Sequence, residues 1–134
     1  MPVLEVKDVK VSFKQCERGF RQKATDVISG LHLAVNAGEI LAVVGASGSG
    51  KSLLAHAILG ILPANAAMSG EILYEGKPLT PVRQTALRGK EIFLIPQSVT
   101  YLDPLMRVGE QVRTSVRTGD PALEQRRVFE RYRL

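Results

Sequence analysis

Apolar residues recur along the chain with two periods, and the change from one to the other marks its organisation. Near the N-terminus the period is two. Leu4 and Val6 alternate with Val3, Glu5 and Lys7, then Val9, Val11 and Phe13 continue, and Leu31, Leu33 and Val35 resume before a turn at Asn36-Ala-Gly38. This predicts an antiparallel sheet, with the polar stretch Lys14 to Lys23 as its hairpin loop. Glu39-Ile-Leu-Ala-Val-Val44 is instead a continuous apolar run, the pattern of a strand buried on both faces. After it Leu53, Leu54, Ala57, Ile58, Ile61 and Leu62 recur at helical spacing as far as Pro63. Gly70-Glu-Ile-Leu-Tyr74 predicts a strand closed by Glu75-Gly76, and Ala86-Leu-Arg-Gly89 a helical turn. Glu91-Ile-Phe-Leu-Ile95 predicts a second buried strand. Past a break at Leu102-Asp-Pro104, Val108 to Arg117 reads as a helix. Asp120-Pro121 opens another, with Asp at the cap and Pro at the first position, running to Leu134 without a stop signal.

Between the apolar run and the helix lies GASGSGKS, which fits G-x-x-x-x-G-K-[ST] at every fixed position: Gly45, Ala46, Ser47, Gly48, Ser49, Gly50, Lys51 and Ser52. Average composition produces this pattern by chance in under about 1% of chains of this length. Its glycines let the backbone curl until successive N–H groups point into one concavity, which the start of the next helix polarises positively. A polyphosphate is the natural guest. Lys51 then reaches the β- and γ-phosphates and the Ser52 hydroxyl ligates Mg²⁺. Strand, glycine loop and helix stand in the order that a nucleotide-binding βα unit requires. The expected fold is an α/β three-layer core with a mostly parallel sheet, the loop at its carboxyl edge, and the antiparallel N-terminal strands beside it.

Length and charge narrow the picture further. A chain of 134 residues holds one modest core, and its net charge of +5 invites a nucleic-acid reading. The arginines, however, crowd into the tail (Arg113, Arg117, Arg126, Arg127, Arg131, Arg133) with Glu124 and Glu130 between them and no aromatic stacking platform. That is the pattern of a solvated helix face, and no nucleic-acid partner is expected. One cysteine, Cys16, excludes an internal disulfide framework, and the isolated His32 and His56 offer no metal-ligand spacing. The charged, alternating N-terminus is unlike a signal peptide, and the apolar stretch Leu53 to Met68 is too interrupted to span a bilayer. A cytoplasmic location follows as the expectation, with room for docking on a membrane partner.

Taken in order, the N-terminal strands, AGE before a buried run, GASGSGKS, LGILP, SGEILYEGKPL and IPQSVTYLDPLMRVGEQV resemble the ATP-binding subunits of ABC transporters, in particular the peptide and nickel importer group. The resemblance covers essentially the whole chain. It implies the P-loop NTPase (RecA-like) core of an ABC nucleotide-binding domain with an antiparallel β subdomain, truncated in the helical subdomain. Residues 1–100 correspond to the β subdomain plus core, and 101–134 to the start of the helical subdomain. The implied cofactors are ATP and Mg²⁺. The implied catalytic pair is Lys51 with Gln97, the latter matching the family's Q-loop as a ligand or sensor of Mg²⁺ and the attacking water. An aromatic residue that stacks on adenine corresponds to Phe13, with Phe20 as the alternative. The implied partners are membrane-spanning permease subunits and a second ATPase subunit, at the inner face of the cell membrane. The implied cargo is nickel, a metallophore or a peptide.

The chain departs from the family pattern after Gln97. The signature LSGGQ, the acidic strand with its catalytic glutamate, and the switch histidine are absent from the sequence, so the chain is expected to be a fragment or a truncated product. By itself it is expected to bind nucleotide without turnover, unless Glu71, Glu75 or Glu91 is an unrecognised catalytic carboxylate. Its apolar residues Val112, Val116, Val128 and Phe129 are expected to make it prone to associate. Two competing readings remain: an ABC-type ATPase of DNA repair or chromosome organisation, which ordinarily carries a long coiled coil where this chain has no sustained heptads, and a non-catalytic nucleotide-binding fragment.

Overall fold

The computed structural model describes residues 1–16 and 22–133, and divides the chain into two compact units, Met1–Leu94 and Ile95–Leu134. In the first unit, strands β1 (Pro2–Cys16), β2 (Gln22–Asn36), β3 (Ala66–Tyr74) and β4 (Lys77–Pro78) form one antiparallel sheet in the order β2-β1-β3-β4. The loop expected over Lys14 to Lys23 is shorter than the sequence suggests, because β1 and β2 stay paired as far as Cys16 and Gln22. Phe20 lies outside the described residues.

The apolar phase on β1 changes from even positions (Leu4, Val6) to odd ones (Val9, Val11), and a β-bulge accounts for it. From Val6 to Val9, three steps along β1 face two along β2 (Leu33 to Leu31). From Lys7 to Lys10 the same excess occurs against β3 (Glu71 to Ser69). Asp8, at φ 48°, absorbs the extra residue. Val6, Val9 and Val11 therefore all reach the same core, where they are the most completely buried large side chains. Helix α1 (Lys51–Leu59) joins this core through Leu54 and Ala57, beside Ile28, Ile72 and Leu79. The hairpin from β3 to β4 closes in two residues, Glu75 and Gly76, both with positive φ, the geometry that matches strand twist.

Helix α2 (Pro81–Leu87) starts at the Thr80 cap with Pro81 at its first position. It is a full element where the sequence predicts only a turn at Ala86 to Gly89. In the second unit, a single 3₁₀ turn (Val99–Tyr101) precedes α3 (Val108–Ser115) and α4 (Pro121–Tyr132), which pack on each other. Asp120 caps α4 by accepting from the Ala122 N–H at 2.8 Å, as the Asp-Pro pair predicts. The helix does not run off the chain: Arg133, at φ 55°, closes it with its N–H on Glu130 O.

Among the described residues, the parallel layer predicted from the two apolar runs is not formed. Residues 39–46 have no strand structure, with Ile40 98% and Val44 88% exposed. Residues 93–96 have none either, and Ile95 is 93% exposed. The nearest approach to parallel pairing is one isolated bridge between Arg88 and Ile92. A strand buried on both faces needs hydrogen-bonded neighbours and covering helices, and no described strand pairs with either run. The pattern reports what these segments favour, while a sheet needs partners for their N–H and C=O groups.

Candidate functional site

Residues 45–52 lead directly into α1, whose first residue is Lys51. Gly50 holds the position before the helix at φ 88°, in the left-handed region. A Cβ there meets Ile28 Cγ1 at 3.0 Å and Val27 Cγ1 at 3.2 Å, so glycine is required both by conformation and by the close approach of β2. The loop closes on itself through Ser49 N–H to Ala46 O (3.2 Å), and the helix begins with Leu54 N–H to Gly50 O (2.9 Å).

The first helical turn carries no acidic residue. Among the described residues, the N–H groups of Lys51, Ser52 and Leu53 have no hydrogen-bond partner within the protein. Unclaimed amides at a helix start, with the positive end of the helix dipole behind them, are what an anion needs. Lys51 folds back over the loop, its Nζ donating to Gly45 O (2.7 Å), Ala46 O (2.6 Å) and Ser49 Oγ (3.3 Å). A cation that bridges neutral loop oxygens is held ready beside the same concavity. Ser52 is exposed, and its hydroxyl has no hydrogen-bond partner among the described residues. The donor set therefore fits a magnesium polyphosphate.

A cavity of about 380 Å³ opens on this loop. Gly45, Ser49, Gly50 and Lys51 line one side, with Val44 and Leu54, and β2 from Val27 to His32 lines the other. His32 is a lining residue that its position in a strand did not single out from sequence. Its Nδ1 accepts from the Asp8 N–H at 3.3 Å, which leaves the other ring nitrogen as the one available to a ligand. Ala46, Ser47, Gly48 and Ser52 belong to the loop without lining the cavity.

One predicted residue of the first unit is not brought to this cavity. Phe13 lies half-buried in the sheet between Thr25 of β2 and Ala66 of β3, and is not a lining residue. Gln97 lies exposed in the second unit. Glu71, Glu75 and Glu91 are exposed and do not line the cavity either. Among the described residues no group of three or more His, Cys, Asp or Glu side chains forms a metal site, and no helix is long and apolar enough to cross a membrane.

Sequence comparison places this loop among known proteins. The chain is 43% identical over 116 residues to the oligopeptide transport ATP-binding protein OppD of Bacillus subtilis, a match covering 82% of this chain and 31% of that protein. It is 37% identical over 115 residues to OppD of Haemophilus influenzae (83% and 34%). It is 40% identical over 117 residues to the peptidoglycan transport ATP-binding protein YejF of Agrobacterium fabrum (83% and 20%). The chain thus spans about a third or less of the length of these curated relatives. The model of the ABC transporter family matches residues 28–133, from β2 through the phosphate loop to the end of α4. By that match the chain belongs to the ABC transporter family, and with it to the P-loop NTPase fold.

Proposed function

We propose that this chain is the nucleotide-binding portion of an importer ATPase that takes up peptides, and that it holds ATP with Mg²⁺ at Gly45 to Ser52. The observation that carries this reading is the concavity of unclaimed N–H groups at the start of α1, with Lys51 folded over it. The N–H groups of the loop bind the phosphates, Lys51 exchanges its loop carbonyls for phosphate oxygens, and Ser52 ligates the metal. Peptide is preferred to nickel or a metallophore because two of the three relatives described above are named for oligopeptide transport and the third for peptidoglycan transport. All three are transport proteins, and nothing in the geometry favours an ATPase of DNA repair.

Gln97 is assigned the nucleotide-sensing role of the Q-loop, and Phe13 the adenine contact, at the level of expectations carried from the family pattern. On the same reading residues 1–100 form the nucleotide-binding part and residues 101–134 begin the helical subdomain. The partners on this reading are permease subunits and a second ATPase subunit at the inner face of the cell membrane. Titration of the chain with a fluorescent ATP analogue, with and without Mg²⁺, tests the reading. Saturable binding that needs Mg²⁺ supports it, and absence of binding by folded protein refutes it.

A further inference from the structure

Helix α1 has only nine residues, so whatever fixes its far end also sets the direction in which its first turn points. That far end is unusually well held. Gly60, in the left-handed region at φ 65°, donates its N–H to Ala57 O (3.2 Å), and Ile61 donates to His56 O (2.9 Å). Side chains of the α2 segment add donors to Ala57 O and take the other terminal carbonyls. Gln84 Nε2 donates to Ala57 O (2.9 Å) and Ile58 O (3.1 Å). Arg88 Nε donates to Leu59 O (3.0 Å), and its Nη2 to Gly60 O (3.3 Å). Every carbonyl from His56 to Gly60 thereby has a donor, and a guanidinium faces the negative end of the helix.

Gln84 is 6% exposed and is the one buried polar side chain among the described residues, so its bond to Ala57 O is made away from water and that to Ile58 O is partly shielded. Gly60 is fitted to it: a Cβ at that position lies 2.3 Å from Gln84 Oε1. The other side of the α2 segment is anchored as firmly. Arg83 Nη1 donates to Tyr74 O (2.9 Å) and Lys77 O (2.8 Å), and its guanidinium lies 5.6 Å from the Tyr74 ring centroid. Helix α2 therefore runs as a strut from the β3–β4 hairpin to the carboxyl end of α1.

We infer that Gln84 and Arg88 are positioning residues for the phosphate site: by clamping the end of α1 they fix where Lys51 and Ser52 present their donors. The inference rests on the proposed nucleotide site. Both residues act through α1, and neither lines the cavity at the loop. Arg88 is exposed, so replacing it leaves the core intact and isolates the clamp.

The test uses the whole chain, with Gln84→Met, Arg88→Met and Arg88→Lys, and Lys51→Ala as control. Two quantities are read: affinity for a fluorescent ATP analogue with Mg²⁺, and hydrogen exchange at the hydrogen-bonded amides of α1, residues 54–59, without nucleotide. The clamp predicts about tenfold weaker binding in Gln84→Met and Arg88→Met, comparable to the loss of an outer-shell partner at a metal site. It also predicts faster exchange at residues 54–59, an Arg88→Met melting temperature close to wild type, and recovery of most of the affinity in Arg88→Lys. Wild-type affinity and exchange in Arg88→Met overturn it, even if Gln84→Met fails to fold. A wild-type chain that binds no nucleotide refutes the proposed function, while the exchange measurement still decides the clamp.

Discussion

The ammonium of Lys51 is shared between two loop carbonyls and one hydroxyl, so binding a polyphosphate replaces neutral acceptors by charged ones. Lys51→Ala removes that exchange. A charge-assisted contact of this kind is worth about 1.5–3 kcal/mol, which corresponds to roughly ten- to a hundredfold in affinity. The same substitution should cut the thermal stabilisation by Mg²⁺-ATP, which for wild type reaches about 2.7 kcal/mol at a hundredfold excess over Kd, to about 0.4–1.4 kcal/mol at the same ligand concentration. Equal nucleotide affinity in the two proteins counts against the role of Lys51. A second residue gives a pH signal. Burial, followed by the charges of Glu91 and Glu75, holds the Tyr74 phenol above its ordinary value of 10.0, with Arg83 opposing. The fold favours the neutral phenol. Its contribution is complete below about pH 10 and is lost as pH rises through the raised folded value. Thermal melts across that alkaline range should show a decline that Tyr74→Phe diminishes.

At the scale of elements, local signals decided more than periodicity did. Asp120-Pro121 is a complete helix start in two residues, and α4 begins there. Asp120→Ala should cost about 1 kcal/mol of helix stability, read as faster hydrogen exchange in the first turn of α4. Unchanged protection there means the cap is idle. The phosphate loop was legible for the same reason, since its fixed positions are conformational requirements of the loop itself. Helix α1, by contrast, ends at Gly60 and not at Pro63, because a left-handed glycine satisfies the last carbonyls before the proline is reached. The α2 clamp was not legible. Gln84 and Arg88 bond to carbonyls 26 to 29 residues away, and no spacing rule within one element encodes such a contact. The bulge at Asp8 was written in the phase change from Val6 to Val9, although its position against β2 and β3 needed the paired register.

At the scale of the whole molecule, the two apolar runs read as parallel strands and found no neighbours, and this decides how the chain should behave in solution. Exposed apolar side chains include Ile40 and Val44 in one run and Phe93 and Ile95 in the other, while Val112, Val116, Val128 and Phe129, the residues first expected to drive association, are half-buried in the α3–α4 pair. Each run also leaves backbone N–H and C=O groups free to pair with another chain. The isolated chain should therefore self-associate through these segments. Ile40→Lys together with Ile95→Lys should raise the monomer fraction in sedimentation more than Val112→Lys with Val128→Lys. The same geometry predicts binding without turnover. Among the described residues, the side chains that line the cavity at the loop include a lysine and a histidine but no carboxylate to accept a proton from water. Phosphoryl transfer needs stabilisation that grows from ground state to transition state, and a cradle on one side of the phosphates supplies mainly uniform binding. Purified monomer should bind Mg²⁺-ATP and release phosphate no faster than a Lys51→Ala control. Steady turnover that disappears in that control overturns this and calls for an unrecognised catalytic carboxylate, for which single Gln substitutions at Glu71, Glu75 and Glu91 are the test.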